Sequence, residues 1–262
     1  MRARVETVSL LIALLIALAS ALPLRAQAPA FELGIYEGVP WPIIPAPVWP
    51  PPRMPQFPAT PAPSASPAGT RIAALMQELR TSIRQTRYQH QTVIRERDGL
   101  YLWDCSAMAA WVLRRSAPRA MQQLTRSRPV ARDFVSAIEH APTDHFARGW
   151  QRIERLEDAR PGDLFAWRRP RGFPSRNTGH VGFLVDQPIA VPGLQGMAVR
   201  IADATSVGHQ ADTREGDEEG GFGIGTLVFL TDEEGRGTHY GWAGTASDGY
   251  VTTPIFIGRV SQ

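Results

Sequence analysis

The stretch GLYLWDCSAMAAWVLRR, Gly99 to Arg115, runs from an extended aromatic segment straight into a helix and holds the only cysteine of the 262-residue chain. Cys105, Met108, Ala109 and Val112 stand at i, i+3, i+4 and i+7, the spacing of one helical face. Asp104 is a natural N-cap. The spacing predicts a helix ending near Arg114, with the thiol on its inward stripe in the first turn. There the positive end of the helix dipole and the unpaired N–H groups favour thiolate over thiol. The same N–H groups could hold the negative oxygen of a tetrahedral intermediate. On position alone, a small core-filling residue is the other reading, since free cysteine is often just that.

Working outward, Ile72, Leu75, Met76, Leu79 and Ile83 predict a helix capped by Thr70, followed by an extended Tyr88–Arg97 and a turn at Asp98-Gly99. Short helices are expected over Pro118–Leu124 and Ala131–Ala141, each introduced by a proline. After Pro161-Gly162 the pattern changes to strands: DLFAW, HVGFLVD, MAVRIAD, GTLVFL, THYGWA and IFIGRV, separated by Gly, Pro and Asp clusters. Helices first and an antiparallel sheet of about five to six strands afterwards predict an α+β domain over residues 70–262, long enough for one core.

A thiolate nucleophile needs an imidazole as base and a third group to orient it. Of the six histidines, His180 opens HVGFLVD, and MAVRIAD returns after a loop. Pairing Val185 with Ala198 sets His180 opposite Asp203. His180 then shares a face with Gly182 and Leu184, and Asp203 with Ile201 and Val199, so both polar groups stand at one rim of an apolar hairpin. Asp203 could accept from one ring nitrogen while the other faces Cys105. A strand-end histidine and a turn aspartate with no shared role is the plainer alternative.

DCSA, PGDLFAW, GHVGFLVD and IADATS occur here in an order and spacing that resembles the papain-like NlpC-type cell-wall cysteine peptidases, over Tyr88 to about Ser206. GHVGFLVD is also similar to the corresponding segment of CHAP-type amidases. The resemblance implies a papain-like fold with Cys105 as nucleophile, His180 as base and Asp203 as orienting group. Ala107 stands where that family usually has glycine, its Tyr-x-x-Gly-Gly loop is absent, and aspartate replaces its usual histidine or asparagine as third residue. Tyr88, Tyr101 and His90 are the candidates for the oxyanion side, and Ser106 adjoins the nucleophile.

At the N-terminus, Arg2 and Arg4 precede an apolar run from Val8 to Leu22, shorter than the ~20 residues of a bilayer span, which reads as a signal peptide over residues 1–28. Cleavage after Ala21 or after Ala28 fits, and a membrane is met only if this segment stays uncleaved. Residues 29–69 are expected to form a proline-rich spacer, whose Trp41, Ile43, Ile44 and Trp49 could instead dock on the domain. A single thiol in an exported chain excludes an internal disulfide. The net charge of +3 and scattered arginines give no basic stripe for nucleic acid.

Arg176, among the four arginines of Arg168–Gly179, could receive a substrate carboxylate, although solvated loop charges are the simpler reading. Glu139, His140, Asp144 and His145 fit no zinc spacing, so no metal or other cofactor is expected. GGFGIG, Gly220–Gly225, precedes a strand rather than opening a helix, which argues against a phosphate loop. His209, Asp212 and Arg214 lie in a long polar loop that could fold over the cleft, placing His209 on the substrate side. The expectation is an exported cysteine hydrolase of amide bonds, with peptidoglycan stem peptides as substrate. A transglutaminase-like acyl transferase and a silent envelope-binding module are the alternatives.

Overall fold

Strand β1, Ile43–Pro45, precedes helix α1, Pro67–Ser82, in the computed structural model, which describes residues 43–45, 53–173, 175–214, 220–242 and 249–262, all within one compact unit. Helix α1 starts before Thr70 because Ser66 caps it, accepting from the Gly69 N–H at 2.9 Å, and Pro67 takes the first turn, where a missing N–H removes no helical bond. Its Ile72, Met76 and Leu79 are buried. Strands β2, Gln85–Tyr88, β3, Val93–Arg95, and β4, Leu100–Trp103, then form a small mixed sheet with β4 in the centre, parallel to β2 and antiparallel to β3. The single extended run expected over Tyr88–Arg97 is instead two short strands, one ending at Tyr88 and one over Val93–Arg95, both paired with the segment that leads into the cysteine.

Helix α2, Cys105–Ser116, follows as expected, and then α3, Pro118–Met121, and α4, Ala131–Glu139. The remaining chain is strand: β5, Trp150–Ile153; β6, Leu164–Arg168; β7, Gly179–Leu184; β8, Ile189–Ala190; β9, Gly196–Thr205; β10, Gly221–Thr231; β11, Gly237–Gly241; and β12, Gly249–Val260. Strands β6, β7, β9, β10, β11 and β12 are successive antiparallel neighbours, and β12 returns to β6, so the expected sheet closes into a six-stranded barrel. The closing strand is long enough to pair with β11 through Val251–Ile255 and with β6 through Phe256–Gly258. Only its second half, IFIGRV, reads as a strand from hydrophobicity.

Side-chain alternation divides the core in two. Phe165, Leu184, Val199, Ile201, Leu227, Phe229 and Ile257 fill the barrel. Their neighbours of opposite parity, including Val181, Phe183, Ala202, Ala204 and Ile224, pack outward with Met108, Ala109 and Val112 of α2 and with α1 and α4. The β7–β9 register is two residues from the expected one: Phe183 pairs with Ala202 and Leu184 with Ile201. Because the shift is even, it changes no face. His180 and Asp203 keep the inward parity together, now as diagonal rather than opposite residues.

Part of the expected spacer lies on the barrel. β1 pairs with β12, Ile43 opposite Val251 and Ile44 opposite Tyr250. Met54 and Phe57 pack against a patch made by Val191, Ala198, Val228, Leu230 and Tyr250, a wall the helices leave bare. The expected signal peptide lies outside the described residues. Among the described residues no helix is long and apolar enough to cross a membrane.

The Pro-Gly-Asp turn joins the layers. Gly162 has φ +88°, and a Cβ there would stand 2.2 Å from the Gly69 carbonyl oxygen of α1, while Asp163 holds Arg259 of β12 at 2.8 Å. Gly162→Ala therefore combines a left-handed backbone with a backbone clash. It is expected to cost more than about 2 kcal/mol, measured by urea unfolding, where most Gly→Ala changes at compatible positions stabilise.

Candidate functional site

Asp104 begins the site. Its Oδ1 accepts from the Ala107 N–H at 2.8 Å as the N-cap of α2, and its Oδ2 lies 3.2 Å from both His90 Nδ1 and Arg128 Nη2. The cap engages the N–H of Ala107, and the Asp104 carbonyl accepts from Met108. The N–H groups of Cys105 and Ser106 are left without an intrahelical acceptor. Cys105 is buried and is the free thiol, with Ser106 Oγ 3.8 Å from its sulfur.

Across from α2, the His180 ring packs against both Trp167 and Trp242, at 5.1 Å from each centroid, and the two indoles also meet each other. His180 Nε2 lies 2.6 Å from Asp203 Oδ2. Burial works against the imidazolium, but the Cys105 charge and the hydrogen bonds to Asp203 and Cys105 outweigh it and raise the His180 pKa to about 9. One ring nitrogen thus serves the carboxylate, and the charge at Cys105 bears on the ring.

Asp203 has further partners. His209 Nε2 lies 2.8 Å from the same Oδ2, and Arg214 Nη2 is 2.9 Å from Oδ1, close as an ion pair though off the hydrogen-bond line. The Asp203 side chain is wholly buried. Burial alone would raise its pKa. The charges of His209 and Arg214, with the hydrogen bonds from both histidines, hold it well below the usual carboxylate range.

The loop that delivers His209 and Arg214 runs along the free edge of β10. Gln210 and Thr226 exchange backbone hydrogen bonds, and Thr213 N–H donates to Ile224 O at 2.9 Å. GGFGIG explains how it fits. It is the first half of β10 rather than a segment before it, and its alternate glycines leave the face open. A Cβ on Gly223 would stand 2.4 Å from Arg214 Nε, and one on Gly225 2.4 Å from Asp212 Oδ2. Asp212 in turn accepts from the His209 N–H at 2.8 Å and pairs with Arg214 at 2.6 Å. The loop thus lies on the wall behind Asp203. With its side chain fully buried, His209 is not the substrate-side residue expected from sequence.

Of the other sequence candidates, Tyr88 joins the site. Burial, and then the charges of Cys105 and Asp104, push its phenol pKa upward, and its hydroxyl accepts from Asn177 Nδ2 at 3.3 Å. Tyr101 does not join: it packs with Trp103 and Trp111, and its phenol faces Glu96 and Arg115. Alternation along β4 turns it away from the cleft. His90 is engaged with Asp104, and Arg176 is exposed on the loop before β7, next to Asn177.

His180, Asp203 and His209 present ligand atoms within 4.8 Å of one another, a donor set that could hold a metal ion. The geometry suits hydrogen bonding better. Both Nε2 atoms contact one oxygen directly at 2.6 and 2.8 Å, whereas a zinc ion about 2 Å from each ligand would hold them farther apart. The buried Arg214 guanidinium already supplies the positive charge beside Asp203.

No family model matches the chain, and no solved structure matches it. It is 26% identical over 184 residues, 62% of this chain and 78% of the relative, to an uncharacterized protein, R653, of Acanthamoeba polyphaga mimivirus.

Two predictions follow from Asp203. Asp203→Ala takes the buried acceptor from His180 Nε2 and His209 Nε2 and leaves Arg214 with Asp212 alone, and is expected to destabilise the fold by about 3–5 kcal/mol in denaturant unfolding. In the wild type the lowered Asp203 pKa contributes stability that is present above the ordinary carboxylate range near pH 4 and lost as pH falls toward the folded value. Thermal midpoints measured from pH 6 downward should fall below about pH 4.

Proposed function

We propose that the protein is a cysteine hydrolase of amide bonds that works through an acyl-enzyme. The observation that carries this reading is the convergence of Cys105, at a helix N-terminus, with an imidazole that feels its charge and whose Nε2 is held by a buried carboxylate. The Cys105 thiolate attacks the amide carbonyl carbon, forming the C–S bond and a tetrahedral oxyanion. The N–H groups at the start of α2 face that charge, and Tyr88, whose phenol feels the Cys105 charge, supplies a side-chain hydroxyl donor on this side. The tetrahedral species collapses with cleavage of the C–N bond, and His180 gives its proton to the departing amine. A water then loses a proton to His180 and attacks the thioester, releasing the acid and regenerating the thiolate–imidazolium pair. Asp203 keeps the ring in one orientation through both steps.

The Gly-His-Val and Pro-Gly-Asp segments favour a hydrolase over an acyl transferase. Peptidoglycan stem peptides, met after export, are the substrate class that the family resemblance supports. The test is incubation of the chain with peptidoglycan fragments and mass spectrometry of the products. New amine and carboxylate termini are expected with wild type and none with Cys105→Ala. Incorporation of an added primary amine in place of water would turn the reading toward acyl transfer, and no Cys105-dependent product would remove it.

The pH profile has a predicted upper limit. His180 must carry a proton to protonate the leaving amine, and its pKa is raised to about 9. The ratio kcat/KM should therefore hold to above pH 8 and fall as pH rises through about 9, rather than near the 6.5 of an ordinary histidine.

A further inference from the structure

The second histidine on Asp203 has no part in the mechanism above. Its Nδ1 lies 3.0 Å from the Trp242 carbonyl oxygen and its Nε2 lies 2.8 Å from Asp203 Oδ2. Both partners are acceptors only, because a carbonyl oxygen has no proton and Asp203 is held ionised. Each ring nitrogen must therefore donate. The ring is packed against Trp242 with centroids 4.6 Å apart and its side chain is fully buried, so no water replaces either partner. Arg214 is fixed as firmly: Nε and Nη2 hold Asp212 at 2.9 and 2.6 Å, Nη1 donates to the Gly221 carbonyl at 2.9 Å, and Nη2 also faces Asp203.

We propose that His209 is a positioning residue: as a doubly protonated imidazolium it ties Asp203 Oδ2 to the Trp242 carbonyl, while Arg214 faces Oδ1, so the carboxylate cannot rotate away from His180. The inference rests on the Cys105–His180 hydrolase reading. Three buried couples then adjoin one another, Cys105 with His180, Asp203 with His209, and Asp212 with Arg214. The charged and titratable groups facing one another here are Cys105 from α2, Tyr88 from β2, Asp203 from β9, and Asp212 and Arg214 from the loop.

A consequence with a definite sign distinguishes positioning from general structural support. The His209 cation neutralises part of the Asp203 charge that draws a proton onto His180. Removing that cation while keeping a donor makes Asp203 hold the His180 proton more tightly. The pH at which His180 deprotonates should rise, whereas loosened structure would let it fall back toward an ordinary histidine.

The test uses the full chain and iodoacetamide, which reads the single thiol directly. In wild type, nitrogen-15 histidine NMR at pH 7 should show both ring nitrogens of His209 protonated, assigned by loss of the signals in His209→Gln; one unprotonated nitrogen overturns the inference. Alkylation rate against pH should show an upper inflexion for His180 that moves upward by about one unit in His209→Gln. The neutral amide still donates to Asp203, so the plateau rate should stay within about threefold of wild type. His209→Leu, with no donor, should lose about tenfold or more. An inflexion that stays in place or moves down in folded His209→Gln overturns the inference but leaves the hydrolase reading standing. If His180→Ala alkylates as fast as wild type at every pH, the hydrolase reading falls instead, a result that the NMR measurement does not depend on.

Discussion

One carboxylate organises this molecule's polar interior. Asp203 has no exposure to solvent, yet it is charged, and a lone buried carboxylate would carry a penalty of several kcal/mol. Two imidazoles and a guanidinium compensate it, and each comes from a different position: His180 from β7, His209 and Arg214 from the loop between β9 and β10. The barrel supplies the frame that brings them together, because inward parity on adjacent antiparallel strands sets His180 and Asp203 on one face. The loop can lie behind them only where the wall has no side chains, which is the role of Gly223 and Gly225.

The division between helices and barrel then accounts for the cysteine. Helix α2 packs its Met108, Ala109 and Val112 on the outward residues of β7 and β9, and its capped N-terminus ends at the barrel rim where the His180 ring lies. The small sheet of β2, β3 and β4 steers the chain into that helix. Thr86 ties it to the barrel, donating to the Tyr101 carbonyl at 2.9 Å and accepting from the Phe222 N–H at 2.9 Å. Tyr88, two residues on, is thereby placed at the thiol while Tyr101 is turned away.

Much of this was legible in sequence. Asp104 as cap, the face of α2, and His180 with Asp203 on a shared face all follow from periodicity, which is a local property. The β7–β9 register was displaced by two because hydrophobic alternation determines which face a side chain takes but not which partner it meets. Barrel closure was hidden for a related reason: Gly249–Pro254 alternates too weakly to read as strand, and the pairings of β12 with β6 and β1 are long-range. The role of His209 was misplaced because a polar loop reads as solvent-exposed. The alternate glycines of GGFGIG were the available signal, since a strand with no side chains on one face has something lying against it.

The strip of chain between Ile43 and Ser66 has a mechanical meaning. As a free polyproline helix, a segment of that length would extend about 70 Å. Here it is held at β1 by strand pairing, at Met54 and Phe57 by packing and at Ser66 by the cap of α1. Any tether upstream of Ile43 therefore gains no span from it. A pull from that side would be borne first as shear across the Ile43–Val251 pairing, at the barrel's closing strand, before it could unwind the first turn of α1.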